Sequence, residues 1–113
     1  MPHLIIEYPQ DVIPAAQVEA LLDAVHASAV ATGLFEPGHI RVRAIPLQHY
    51  RVAGRHEPFI HAQCRIHAGR SAEQKQGLSG AVLAAIKGQG VSLQSITVEV
   101  VEMERASYAK QAG

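Results

Sequence analysis

The residue with the most chemical promise is the second. Proline directly after the initiator, Met1-Pro2, is small enough to allow methionine removal, which would unmask a secondary amine. Such an amine, held in one place, is a candidate general base. The same proline would equally suit the plain start of a strand, where its missing N–H is not needed. Arg70 is the second candidate. It precedes Ser71-Ala72-Glu73-Gln74, in which Ser71 is a good helix N-cap and Gln74 completes a capping box. A guanidinium beside free helix N–H groups forms an anion site suited to a carboxylate, though a lone arginine there also serves as ordinary surface. Were Arg70 near Pro2, its charge would disfavour protonation of the amine and bring it closer to a working base. Arg41 and Arg43 share one face of an expected strand, as a solvated edge or as a binding element.

Other chemistries find little support. The seven histidines show no clustering with cysteine or acid at ligand spacing, so no metal is expected. Cys64 falls on the apolar side of an alternating run and reads as a small buried hydrophobe. Gly88-Gln89-Gly90 closes a helix and does not open one, so it is no phosphate loop. Ten basic and ten acidic residues leave a formal charge of zero with no basic face, which argues against nucleic acid. No apolar run approaches spanning length, no secretory leader precedes the first strand, and one cysteine suits a reducing compartment. A soluble cytoplasmic protein is expected, with no membrane association. Its open partner class is copies of itself.

The elements that must position these residues follow from hydrophobic period. Pro2, Leu4, Ile6 and Tyr8 alternate with His3, Ile5 and Glu7, which predicts a first strand that holds the terminus still. A helix is expected from Pro14 to Thr32, with Val18, Leu21, Leu22, Val25 and Ala29 on one stripe and Ala16, Ala20, Ala24 and Ala27 widening it. Gly33 stops it, and Glu36-Pro37-Gly38 forbids continuation. A second strand is expected over Ile40 to Tyr50, a loop over Val52 to Pro58, and a third strand over Phe59 to His67 with Ile60, Ala62, Cys64 and Ile66 inward. A second helix runs from the Ser71 cap through Leu78, Val82 and Ile86, and a last strand from Gln94 to Glu102 turns Ile96, Val98 and Val100 inward. The polar tail from Arg105 to Gly113 receives no element.

One 113-residue domain results, with the order β-α-β, loop, β-α-β. Pro2-His3-Leu4 aligns with Pro58-Phe59-Ile60, Pro14 with Arg70, and Ile40-Arg41-Val42 with Ile96-Thr97-Val98, all at one offset, which marks pseudo-repeats over about 2–50 and 58–104. Right-handed parallel crossovers would give an α/β (α+β) fold: a four-stranded mixed sheet with both helices on one face. The other face, carrying His61, Gln63 and Arg65, is the expected oligomer surface.

These features resemble the tautomerase superfamily. The segment Gly69-Arg70-Ser71-Ala72-Glu73-Gln74-Lys75 is similar to the motif after the first strand of the short 4-oxalocrotonate tautomerases. Pro2-His3-Leu4-Ile5-Ile6-Glu7, Ala31-Thr32-Gly33-Leu34-Phe35 with Ile40-Arg41-Val42-Arg43, and His67-Ala68-Gly69-Arg70-Ser71 resemble the 5-carboxymethyl-2-hydroxymuconate isomerase subfamily of homoprotocatechuate breakdown, over nearly the whole chain to Glu104. The resemblance implies a homotrimer, no cofactor and no metal. It also implies a small carboxylate substrate, with Pro2 as general base after Met1 is removed. Arg41 and Arg70 match positions that hold substrate carboxylates, and Phe35 matches an apolar residue near the pocket. Ser107-Tyr108-Ala109-Lys110 loosely resembles an aromatic-lysine segment of the family, which implies a part in subunit contacts. The expected activity is a proton shift in an unsaturated keto or enol acid with two or three carboxylates. Alternatives are a phenylpyruvate-type tautomerase, a hydratase or a dehalogenase of the same superfamily. A trimeric carboxylate-binding module without catalysis is a further one.

Overall fold

Alternation in the two central strands decides the layering. The computed structural model describes residues 1–91, 93 and 95–111. Its strands are β1 (His3–Pro9), β2 (Arg41–Leu47), β3 (Phe59–His67) and β4 (Ser95–Met103), and its helices are α1 (Ala15–Ala31) and α2 (Ala72–Lys87). Short 3-10 turns at Pro37–His39 and Arg105–Ser107 precede β2 and follow β4. Gln94, expected as the first residue of the last strand, lies outside the described residues.

The sheet order is β2-β1-β3-β4, a four-stranded mixed sheet as expected. β1 runs parallel to β2 and β3 parallel to β4, while β1 and β3 meet antiparallel at the centre. Leu4 and Ile6 of β1 and Ile60, Ala62, Cys64 and Ile66 of β3 are buried, and they pack with Leu21, Val25, Leu78, Val82 and Ile86 from the helices. Period 2 in the strands meets period 3.6 in the helices across one interface. Burial there also pushes the Cys64 thiol up to about 12, so it stays protonated. Each fully buried Leu or Ile contributes about 1.5–3 kcal/mol of transfer free energy. The opposite face is largely polar, and no strand or helix among the described residues covers it. On it, His61 bonds Thr97 Oγ1 at 2.7 Å and Glu99 Oε2 at 2.5 Å.

Two expectations need correction. β2 stops at Leu47 rather than reaching Tyr50, because β1, its one partner among the described residues, ends at Pro9, where the last pair is Pro9↔Leu47. The Gln10 N–H closes the ladder on the Leu47 carbonyl at 3.1 Å. Tyr50 is instead buried, its hydroxyl donating to the Asp11 carboxylate, which His56 Nε2 also meets at 2.9 Å. This knot ties the β2–β3 loop to the β1–α1 turn. The alanine stripe of α1 is also narrower than expected. Ala16, Ala20 and Ala27 are exposed, since 3.6-residue geometry carries them to the side away from Val18, Leu21, Val25 and Ala29. No helix among the described residues is long and apolar enough to cross a membrane.

The β2–β3 loop contains a tight turn, Val52↔Arg55, whose central residues Ala53 and Gly54 stand at φ 51° and 77°. Positive φ at both positions is the pattern that favours Asn-Gly, and an alanine there is strained. Ala53→Asn is therefore expected to stabilise the fold by about 0.5–1 kcal/mol, read as a rise in Tm of about 2–4 °C. An unchanged or lower Tm would contradict the strain.

Candidate active site

The antiparallel pairing His3↔Arg65 sets the start of β1 beside the end of β3. At that end of the sheet a cavity of about 360 Å³ opens between the terminus, the α1–β2 loop and the β3–α2 turn. Pro2, Phe35, His67, Arg70 and Arg105 all contribute to its wall. Pro2 is buried and shares strand parity with Leu4 and Ile6, which places it on the helix-covered side. Its carbonyl accepts the Arg41 N–H at 3.0 Å, so parallel pairing with β2 fixes the terminus.

Local structure explains how Arg70 is aimed. Gly69 adopts φ 123°, a conformation that side chains other than glycine rarely take, and it turns the chain sharply out of β3. Ser71 then caps α2 reciprocally: its Oγ accepts from the Gln74 N–H at 3.1 Å, and its own N–H donates to Gln74 Oε1 at 2.9 Å. Between these two constraints Arg70 projects to the cavity. Its Nη2 donates to the Leu34 carbonyl, and its guanidinium carbon lies 5.7 Å from the centroid of the Phe35 ring. The Leu34 loop is held in turn by Thr32, whose Oγ1 accepts the Leu34 N–H at 3.3 Å. Phe35 thus acts as a platform for Arg70 as much as an apolar wall.

The structure brings Pro2, Phe35 and Arg70 together and leaves Arg41 apart. Arg41 pairs with His3 in register, so its side chain belongs to the open sheet face. There its Nη1 donates to the His39 carbonyl at 3.0 Å. Its charge still reaches the terminus. Burial first, then Lys110, Arg41 and Arg105, hold the Met1 amine below the usual α-amine range.

His67 and Arg105 escaped the sequence reading. His67 closes β3, and its Nδ1 is buried with no hydrogen-bond partner among the described residues. Its ring stands edge-on to Tyr108 with centroids 4.7 Å apart. Arg105 lies in the turn just past β4, with Nε donating to the Ala68 carbonyl at 3.1 Å. The signal for both is the parallel pair His67↔Met103, which puts the ends of β3 and β4 side by side. That pair becomes visible only once the end of β4 is known. His3 joins the same neighbourhood from the other side. Arg43 can only donate, so His3 Nδ1 accepts from it at 3.1 Å and Nε2 carries the proton shared with Tyr108 Oη at 2.8 Å. Among the described residues no group of three or more His, Cys, Asp or Glu side chains could hold a metal ion.

Two β-α-β units joined by an antiparallel seam, with a buried proline at the mouth of a cationic cavity, define a tautomerase-fold protein. A fused 4-OT described as a wild-type symmetric trimer matches with a TM-score of 0.81 at 21% identity, over 98% of this chain and 93% of its own. The sequence profile of 5-carboxymethyl-2-hydroxymuconate isomerase matches residues 2–112, and the chain belongs to that family, one of cofactor-independent isomerases. It is 28% identical to the 5-carboxymethyl-2-hydroxymuconate Delta-isomerase of Escherichia coli, over 98% of this chain and 94% of that protein. The crystal structure of a 5-carboxymethyl-2-hydroxymuconate isomerase from Deinococcus radiodurans R1 matches at 28% identity with a TM-score of 0.85, over 99% of this chain and 90% of that one.

Two histidines at this site make stability depend on pH. Burial first, then Arg43 and Arg41, lower the pKa of His3; burial first, then the terminal amine and Arg105, lower that of His67. A histidine whose folded pKa lies below its unfolded value contributes fully only above that unfolded value, about 6.5, and loses the contribution as pH falls below it. Asp11, held low by its bonds to Tyr50 and then His56, titrates well beneath this window. Tm is therefore expected to drop between pH 7.5 and pH 5, and to drop less in His67→Phe. An identical pH dependence in that variant would remove His67 from the account.

Proposed function

We propose that this protein shifts a proton within a small unsaturated keto or enol acid bearing two or three carboxylates, of the 5-carboxymethyl-2-hydroxymuconate type. Pro2 is the general base once Met1 has been removed. The observation that carries the reading is the shared cavity: a buried proline directly after Met1 and an arginine braced on Phe35 and the Leu34 carbonyl. A 1,3-proton shift asks for one group that takes and returns a proton, and another that stabilises the dienolate between the two events.

The freed Pro2 nitrogen supplies the first. The Met1 amine is held low by burial and by surrounding cations, and a proline amine in its place would feel the same influences. A larger neutral fraction at physiological pH is the condition for base catalysis. Arg70 supplies the second, with a charge that cannot be titrated away and with donors aimed by the Leu34 carbonyl. Phe35 gives the conjugated part of the substrate an apolar wall. Arg41, on the open sheet face, is assigned to a substrate carboxylate through a homotrimer, in which that face meets another copy. The uncovered polar face and the trimeric description of the fused 4-OT support this assembly.

The test is absorbance decay of a 2-hydroxymuconate-type dienol, with the native protein weighed by mass spectrometry. Pro2→Ala is expected to lower kcat by about 10²–10⁴-fold and Arg70→Ala by about 10²–10³-fold, in protein whose native mass lacks one methionine. Full turnover by Pro2→Ala, or a native chain that retains Met1, would sink the proline mechanism. Binding without any turnover of such acids would favour the non-catalytic carboxylate module.

A further inference from the structure

We propose that Arg105 determines specificity. Its guanidinium and that of Arg70 form a two-point clamp that makes the cavity select a dicarboxylate over a monocarboxylate of the same length. The proposal rests on the reading of this cavity as the substrate site, and it adds a residue outside the set Pro2, Arg41 and Arg70.

Both arginines reach the cavity from adjacent strand ends. Because His67 pairs with Met103, Arg70 stands three residues beyond the end of β3 and Arg105 two beyond the end of β4. Each guanidinium is tied to one backbone carbonyl. Arg70 uses Nη2 on Leu34, and Arg105 uses Nε on Ala68 at 3.1 Å. The Ala68 N–H in turn donates to the Met103 carbonyl at 3.3 Å, so the segment that carries Arg70 also fixes Arg105. A tether through Nε leaves both Nη groups of Arg105 to other acceptors, while Arg70 keeps Nε and Nη1.

Charge points the same way. Among the described residues neither Arg70 nor Arg105 forms a salt bridge, and Glu36 is the only carboxylate on the cavity wall. The whole chain is formally neutral, so this cationic excess is local. Two guanidiniums on one small cavity repel each other, and a bound dianion relieves the repulsion while filling both sets of donors. Arg105 also contributes to lowering the Met1 amine and His67, which agrees with its place at the cavity. About 360 Å³ lies at the small end of ligand pockets and suits a short-chain acid.

Adipate and hexanoate test the clamp, because they share six carbons and differ in one carboxylate. Their binding would be measured by calorimetry on the full-length Met1-free protein and on Arg105→Gln, Arg105→Lys and Pro2→Ala. The native protein is expected to prefer adipate. Arg105→Gln should weaken adipate by about tenfold to a hundredfold and hexanoate by less than about threefold. Arg105→Lys should recover part of the preference, and Pro2→Ala should keep it, since binding needs no proton transfer. In native protein, adipate but not hexanoate should shift the Arg105 side-chain N–H resonances, a readout that does not depend on any variant folding. No preference in the native protein, equal losses for both acids, or unmoved Arg105 resonances would each overturn the clamp. Full turnover by Pro2→Ala would remove the proline mechanism and leave the clamp standing.

Discussion

The antiparallel seam between β1 and β3 is the constraint on which the rest depends. It joins two β-α-β units, each able to bury only one face, into a single sheet with one shared core. It also decides where the terminus goes. A parallel neighbour would have carried Pro2 toward the start of β3, far from the turn into α2. With the antiparallel register, Pro2 arrives where Gly69 and the Ser71 cap present Arg70. Fold and site are consequences of one set of backbone hydrogen bonds.

Electrostatics at that end of the sheet differ from those of the chain as a whole. Total charge is balanced, yet the terminus and His67 sit among Arg105, Lys110 and, for the terminus, Arg41. Arg105 and Lys110 come from the segment that follows β4, and Arg41 is the first residue of β2. Backbone carbonyls of Leu34, Ala68 and His39 hold Arg70, Arg105 and Arg41 respectively. Neutral carbonyls orient a guanidinium without cancelling its charge, whereas a carboxylate partner would have done both. The chain belongs to an isomerase family, and uncancelled charge at this cavity suits the proposed chemistry, which passes through an anion.

Much of this was legible in the sequence, for identifiable reasons. Strict alternation gave β3 its bounds at Phe59 and His67, and the Ser71–Gln74 box located the start of α2. Pro2 and Arg70 stood out only as a pair, since a strand-starting proline and a cap-side arginine each have an ordinary structural use; both line one cavity. β2 misled because its residues keep strand-like character to Tyr50, while the strand ends when its partner turns away at Pro9. Arg41 looked equivalent to Arg70 in type, but strand parity sends it to the other face of the sheet. Arg105 and His67 depend on where two distant strand ends coincide. Nothing local in Glu104-Arg105-Ala106-Ser107 encodes that meeting.

The contact between His3 and Tyr108 has a topological meaning as well as a chemical one. It fastens residue 108 to residue 3, so the described chain comes close to a ring, closed beside the cavity that Pro2 and Arg105 line. A ring of this kind is better opened elsewhere. The exposed Val52–Arg55 turn, on the loop tied down by Tyr50, Asp11 and His56, is the natural place to cut and re-join the polypeptide.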